Sequence, residues 1–155
     1  LAKKYKIDFC VTPFDHSYVK KIKNYVSFFK VASGDINNID LLKEISKTKK
    51  KVVISTGMAT LKEIKKALNF FPRNKVVLLH CISNYPTAKK DANLINIKFL
   101  RKKFGVNTGY SDHVPGIETA AKSVFFGAKI IEKHFMPVKS KLAGDYKLSV
   151  DHRDL

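Results

Sequence analysis

The sequence predicts an α/β fold of about six βα units, a partial (β/α)8 TIM barrel whose first two units are missing. Three observations predict it. Apolar strand-like runs alternate with stretches of helical spacing along all 155 residues. The strand runs are continuous rather than alternating, as in parallel strands buried on both faces. Every strand run also ends in small, polar or titratable residues. An open doubly wound sheet concentrates its chemistry at one switch point. A barrel brings the C-terminal end of each strand to one rim.

The units follow in order. Residues 6–14, "KIDFCVTPF", form an apolar strand with a turn at Thr12-Pro13. Residues 15–26 have helical spacing, with Tyr18, Ile22, Tyr25 and Val26 on one side. "SFFKVAS", 27–33, is the second strand, closed by Gly34-Asp35. "NIDLLKEISK", 38–47, is the second helix, with Asn38 or Asp40 as its cap. "KKVVIST", 50–56, is the third strand, and Gly57-Met58 ends it. Thr60 opens the third helix, 60–71, and Glu63 three residues on completes a capping-box pattern. "KVVLLHC", 75–81, and "ANLINIKFLRKKF", 92–104, supply the fourth strand and helix. "GVNTGYS", 105–111, and "GIETAAKSVFFG", 116–127, supply the fifth. "AKIIEKHF", 128–135, is the sixth strand.

Composition narrows the function. A 45% hydrophobic chain of this length supports one domain with a real core. No apolar run approaches the roughly 18 residues that a membrane span needs. "LAKKYKIDFC" lacks the long apolar stretch and small-residue site of a signal peptide. Cys10 and Cys81 lie in apolar runs with no CxxC spacing, so buried thiols in a reducing cytoplasm are expected. The net charge of +17 invites a nucleic-acid reading. Almost all of it is Lys, spread over solvated faces, and Arg occurs only at Arg73, Arg101 and Arg153. Base readout favours Arg forks and exposed interleaved aromatics. Neither pattern is evident, so nucleic acid is disfavoured.

Two histidines end successive strands. His113 in "SDH" and His134 in "EKH" are one βα unit apart. On adjacent barrel strands their side chains can converge above the rim. Neutral imidazole is a common ligand for Zn, Mn, Fe or Co. The other reading is two unrelated polar histidines. Asp112 and Glu132 flank the pair and are expected to orient the imidazoles.

Hydroxyls mark the other ends. Thr12, Ser33, Ser55 and Ser111 stand at four strand ends, and Lys30 lies inside an apolar strand. A buried lysine needs an anion partner or a shifted pKa. With backbone N–H groups at the Gly34 and Gly57 turns, these residues suit an anion, most simply phosphate. For any single Ser or Thr, ordinary turn chemistry explains the residue as well. No GxGxxG or GxxxxGK[ST] occurs, so neither a dinucleotide site nor a P-loop is indicated.

Six motifs in register now carry a resemblance: "TPFD", "FKVASGD", "VVISTGMATLKEI", "LLHCISNYP", "GYSDHVPGIETA" and "IIEKHF". Together they resemble the sialic acid (N-acetylneuraminate) synthase family, which includes legionaminic and pseudaminic acid synthases. The resemblance implies a barrel enzyme that condenses phosphoenolpyruvate with an N-acetylated hexosamine aldehyde such as N-acetylmannosamine and releases phosphate. It implies a divalent metal, Mn with Mg or Co as alternatives, on His113 and His134. It implies phosphoenolpyruvate contacts at Thr12, Lys30, Ser33, Ser55, Ser83 and Ser111, with Lys30 counted as catalytic beside the two histidines. Sugar contacts are implied at Tyr85 and at Asp145 in "AGDYKLS". Residues 1–155 then read as one catalytic-barrel fragment, without the family's C-terminal antifreeze-like domain and from a homodimeric, cytoplasmic protein. No nucleic-acid or membrane partner is expected. Another metal-dependent barrel aldolase or keto-acid synthase, or a basic nucleic-acid-binding α/β domain, stands as the alternative.

Overall fold

The computed structural model describes residues 1–138, 141–142 and 144–154. Six strands form one sheet in chain order, β1 (Cys10–Val11), β2 (Phe28–Val31), β3 (Lys51–Ser55), β4 (Val76–Cys81), β5 (Asn107–Asp112) and β6 (Ile131–Lys133). Five α-helices alternate with them: α1 (His16–Ile22), α2 (Ile39–Lys47), α3 (Leu61–Leu68), α4 (Ile95–Phe104) and α5 (Glu118–Ser123). The predicted α/β class and the unswitched strand order both hold. No helix among the described residues is long and apolar enough to cross a membrane. The chain divides into two compact units, Leu1–Leu78 and Leu79–Leu155.

In the first unit β1 pairs with β2 and β2 with β3, all parallel. Phe29 stands level with Val52, and Val31 with Ile54. Side chains alternate along a strand, so these four share one face, and all are fully buried. Lys30, Val53 and Ser55 take the other face. Leu41, Leu42 and Ile45 supply the buried side of α2. Asn38, rather than Asp40, caps that helix, its side-chain oxygen accepting from the Leu41 N–H at 3.2 Å. The capping box of α3 is complete: Thr60 Oγ1 accepts from the Glu63 N–H and Glu63 Oε2 from the Thr60 N–H. Such a cap contributes about 1 kcal/mol.

Two expectations need correction here. The first strand is far shorter than residues 6–14, because the chain before it turns. Tyr5 N–H donates to the Leu1 carbonyl, and Lys6 has a left-handed φ of 53° that breaks an extended run. The first helix ends at Ile22, and its buried side carries Val19 while Tyr18 and Tyr25 are exposed. One residue of offset rotates a helix face by about 100°. Of the predicted side, Val26 is buried and Ile22 half-buried, while Val19 turns inward in place of Tyr18.

In the second unit β5 and β6 pair in parallel, with Tyr110 level with Ile131, Ser111 with Glu132 and Asp112 with Lys133. Gly109 makes the close approach possible: a Cβ there would collide with the Ile130 carbonyl oxygen. α4 ends on Gly105 at φ 64°, a left-handed position suited to glycine. Ile97, Tyr110 and Ala128 form a buried apolar cluster. Cys81 is buried but Cys10 is exposed, against expectation, because β1 is two residues long and the last strand of the sheet order on its side. Residues 148–151, which no strand pattern marked, are buried. Val150 bridges to Phe135, donates to the His134 carbonyl and accepts from the Met136 N–H.

Candidate metal and anion sites

His113 follows β5 and His134 follows β6, each one residue past the Asp112–Lys133 level of the register. Alternation puts Ser111, His113, Glu132 and His134 on one side of the strand pair. The two imidazole centroids lie 5.5 Å apart at 70°. The Tyr85 ring joins them, 4.0 Å from His113 and 5.8 Å from His134. The loop that carries Tyr85 is held to the histidine: the Thr87 N–H donates to the His113 carbonyl at 2.9 Å. The Tyr85-Pro86 peptide is cis.

Each imidazole is backed through the same nitrogen. His113 Nδ1 lies 2.7 Å from the Ile82 carbonyl oxygen, which can only accept, so Nδ1 carries the proton. His134 Nδ1 lies 3.5 Å from Asp145 Oδ2. The Ile82 contact leaves Nε2 of His113 as its nitrogen for a ligand. Burial pushes the His113 pKa below its ordinary value, and the His134 charge adds to this. The Ile82 contact and the Glu132 and Asp112 charges oppose it. An imidazole with a fixed tautomer, as at His113, with a second imidazole 5.5 Å from it, suits a divalent ion, so these residues fit a metal. Among the described residues no group of three or more His, Cys, Asp or Glu stands together as a metal cage. An ion here would rest on two imidazoles, with further positions for water or substrate oxygens.

Asp112 does not orient the histidines as the sequence suggested. Asp112 points to the opposite side of the sheet, where its Oδ1 accepts from the Val114 N–H and its Oδ2 pairs with Lys133. Glu132 stays on the histidine side, where its Oε1 accepts from Ser111 Oγ at 2.7 Å and its charge acts on His113. The Ile82 carbonyl orients His113, and Asp145 lies beside His134. The first is a backbone atom with no sequence signature. The second was read as a sugar contact, and half of its side chain is exposed beside His134. Tyr85 has its pKa raised by burial and by the charges of Cys81, Glu132 and Asp145, so its phenol remains a neutral donor. Ser83 is half-buried, between Ile82 and Asn84, whose carbonyl accepts from Thr87 Oγ1.

The first unit gathers the lysine and the hydroxyls. Lys30 is buried on β2, and its Nζ donates to Ser55 Oγ at 2.8 Å and to the Val31 carbonyl at 3.1 Å. Thr12 follows Val11, the partner of Phe29, so the same register carries Thr12 level with Lys30. Ser33 Oγ accepts from the Gly57 N–H at 3.0 Å. That N–H therefore braces the β2 and β3 ends against each other instead of standing ready for a ligand. Lys30, Ser55, Ser33 and Thr12 thus mark one end of the β1–β3 sheet. They combine a buried cation with hydroxyls, the donor set for an anion.

The chain matches the NeuB family over residues 1–155. It is 40% identical to the N,N'-diacetyllegionaminic acid synthase of Campylobacter jejuni, covering 99% of this chain and 48% of that protein. It is also 40% identical to the pseudaminic acid synthase of the same species, covering 90% of this chain and 42% of that one. The crystal structure of N-acetylneuraminic acid synthetase from Leptospira borgpetersenii superposes with a TM-score of 0.93 at 37% identity, covering 99% of this chain and 55% of that one. The chain spans about half the length of the curated relatives it matches. A family match over the whole chain, with relatives 40% identical over at least 90% of it, carries one conclusion: the chain belongs to the NeuB family.

Proposed function

We propose that this chain carries the catalytic barrel of a nonulosonic acid synthase that condenses phosphoenolpyruvate with an N-acetylated hexosamine aldehyde, such as N-acetylmannosamine, and releases phosphate. The observation that carries the reading is the pair of imidazoles with centroids 5.5 Å apart, His113 held through Nδ1 by the Ile82 carbonyl and His134 beside Asp145. The relatives, legionaminic and pseudaminic acid synthases, agree with the product class.

In this reading Lys30 supplies the positive charge for phosphoenolpyruvate, with Thr12, Ser33 and Ser55 as neighbouring donors. Ser83 and Ser111 are assigned to the same substrate. Tyr85 and Asp145 face the sugar. His113 and His134 hold a divalent ion, Mn or in its place Mg or Co. When bound, the ion supplies Lewis-acid polarisation of the aldehyde oxygen. The new carbon–carbon bond forms between the enol carbon of phosphoenolpyruvate and the aldehyde carbon. Water then adds at C2, and the C2–O bond to phosphate breaks with its electron pair leaving on phosphate. The product is a 2-keto acid. We place the whole protein in the cytoplasm as a homodimer.

The test is stoichiometry. Protein carrying this sequence, given phosphoenolpyruvate, Mn2+ and N-acetylmannosamine or an N,N'-diacetylated hexose, should release one phosphate per 2-keto acid formed. No phosphate should appear when the sugar or the ion is withheld. Phosphate release independent of sugar would point to a different barrel enzyme. Tight, salt-sensitive DNA binding without turnover would point to a nucleic-acid domain.

A further inference from the structure

The side of the β5–β6 pair away from the histidines holds a buried ion pair that the proposed chemistry does not use. Lys133 Nζ lies 3.0 Å from Asp112 Oδ2, and the two side chains are 9% and 0% exposed. Lys133 Nζ also donates to the Val114 carbonyl, and Asp112 Oδ1 accepts from the Val114 N–H at 2.9 Å. Asp112 and Lys133 are register partners, and each immediately precedes a histidine.

We propose that Asp112 and Lys133 are positioning residues for a divalent-ion site on His113 and His134. The pair ties β5 to β6 at the last register level before the two imidazoles. The bonds to Val114 fix the backbone on the far side of His113. Ser111 and Glu132 make the matching tie one level earlier, on the histidine side. Two crossed ties in consecutive levels hold the strand ends against sliding or splaying, so the separation of the imidazoles is set from behind. A buried ion pair is a weak source of stability, because desolvation offsets most of its Coulomb attraction. What such a pair gains is a defined geometry, and the geometry defined here is that of the next residue on each strand.

This inference rests on the metal reading above, and the experiment separates the two. The variant combines Asp112→Asn with Lys133→Met, which leaves no charge buried alone and keeps an oxygen for the Val114 N–H. Mn2+ affinity is read by electron paramagnetic resonance of the free ion, alongside the urea unfolding curve. The expected result is an unfolding midpoint near the parent's, with Mn2+ affinity weakened about 10–100-fold. Lys133→Arg, which keeps the charge, should fold and fall between the two in affinity, and it decides the matter should the double variant not fold. Equal Mn2+ affinity in the parent and in a folded variant would overturn the positioning role alone. A parent that binds no divalent ion would overturn the metal reading, and the positioning role with it.

Discussion

His113 donates from Nδ1 to the Ile82 carbonyl and packs against the Tyr85 ring, centroids 4.0 Å apart and tilted by 31°, so one loop fixes its tautomer and covers one of its faces. That relationship removes the freedom to rotate that an exposed histidine would have. It leaves Nε2 on a ring already ordered, which lowers the entropy cost of taking a ligand.

The first prediction follows from that order. His113→Ala or His134→Ala should abolish tight Mn2+ binding, since each removes one of the two imidazoles. The circular dichroism spectrum should stay that of the parent. Titration calorimetry with Mn2+ checks this, and parent-like affinity in the double variant would end the metal assignment.

Lys30 gives the second. Its ammonium is buried and donates to Ser55 Oγ. A charge-assisted bond to phosphate is worth about 1.5–3 kcal/mol, roughly tenfold to a hundredfold in affinity. Lys30→Ala should raise the KM for phosphoenolpyruvate by that factor. A variant with parental KM and kcat would make Lys30 a structural lysine.

The third concerns pH. His80 is buried, its Nε2 donates to the Ala92 carbonyl at 2.8 Å, and burial pushes its pKa below the ordinary 6.5. His113 is shifted in the same direction, also by burial. The unfolded chain therefore binds protons that the folded chain resists. The stability from these groups is fully present above the unfolded value and is lost as pH falls through the folded one. Unfolding free energy should decline as pH drops from about 7 toward 5. His80→Gln, which keeps an N–H for Ala92, should flatten the decline. Urea unfolding at several pH values measures both slopes, and identical slopes would remove His80 from the account.

Thr108 supplies the fourth. It is fully buried on β5, and its Oγ1 has no hydrogen-bond partner among the described residues. An unpaired buried hydroxyl costs about 1–3 kcal/mol. Thr108→Val keeps the shape and removes the polar atom, so it should raise the unfolding free energy by about 1 kcal/mol. A loss of stability would reveal a partner for that hydroxyl.

The sequence by itself determined the βα alternation, the strand order and the residues at the strand ends. Buried parallel strands demand continuous apolar runs, and helix starts demand caps such as Thr60 with Glu63. Both demands are local and leave marks in neighbouring residues. Lys30 was legible for the same reason, as a charge inside an apolar run. Lys133 sits among "IIEKHF" and carried a similar mark, yet its partner Asp112 was assigned to the histidine side. Only the tertiary structure decided that. Side-chain direction depends on strand register, and one residue of register moves a carboxylate from one face of a sheet to the other. The Ile82 carbonyl, the docking of Val150 on His134 and the close approach at Gly109 were likewise illegible. Each joins segments distant in the chain through a backbone atom, or through the room left by an absent Cβ. Neither depends on a side-chain pattern that a linear reading can detect.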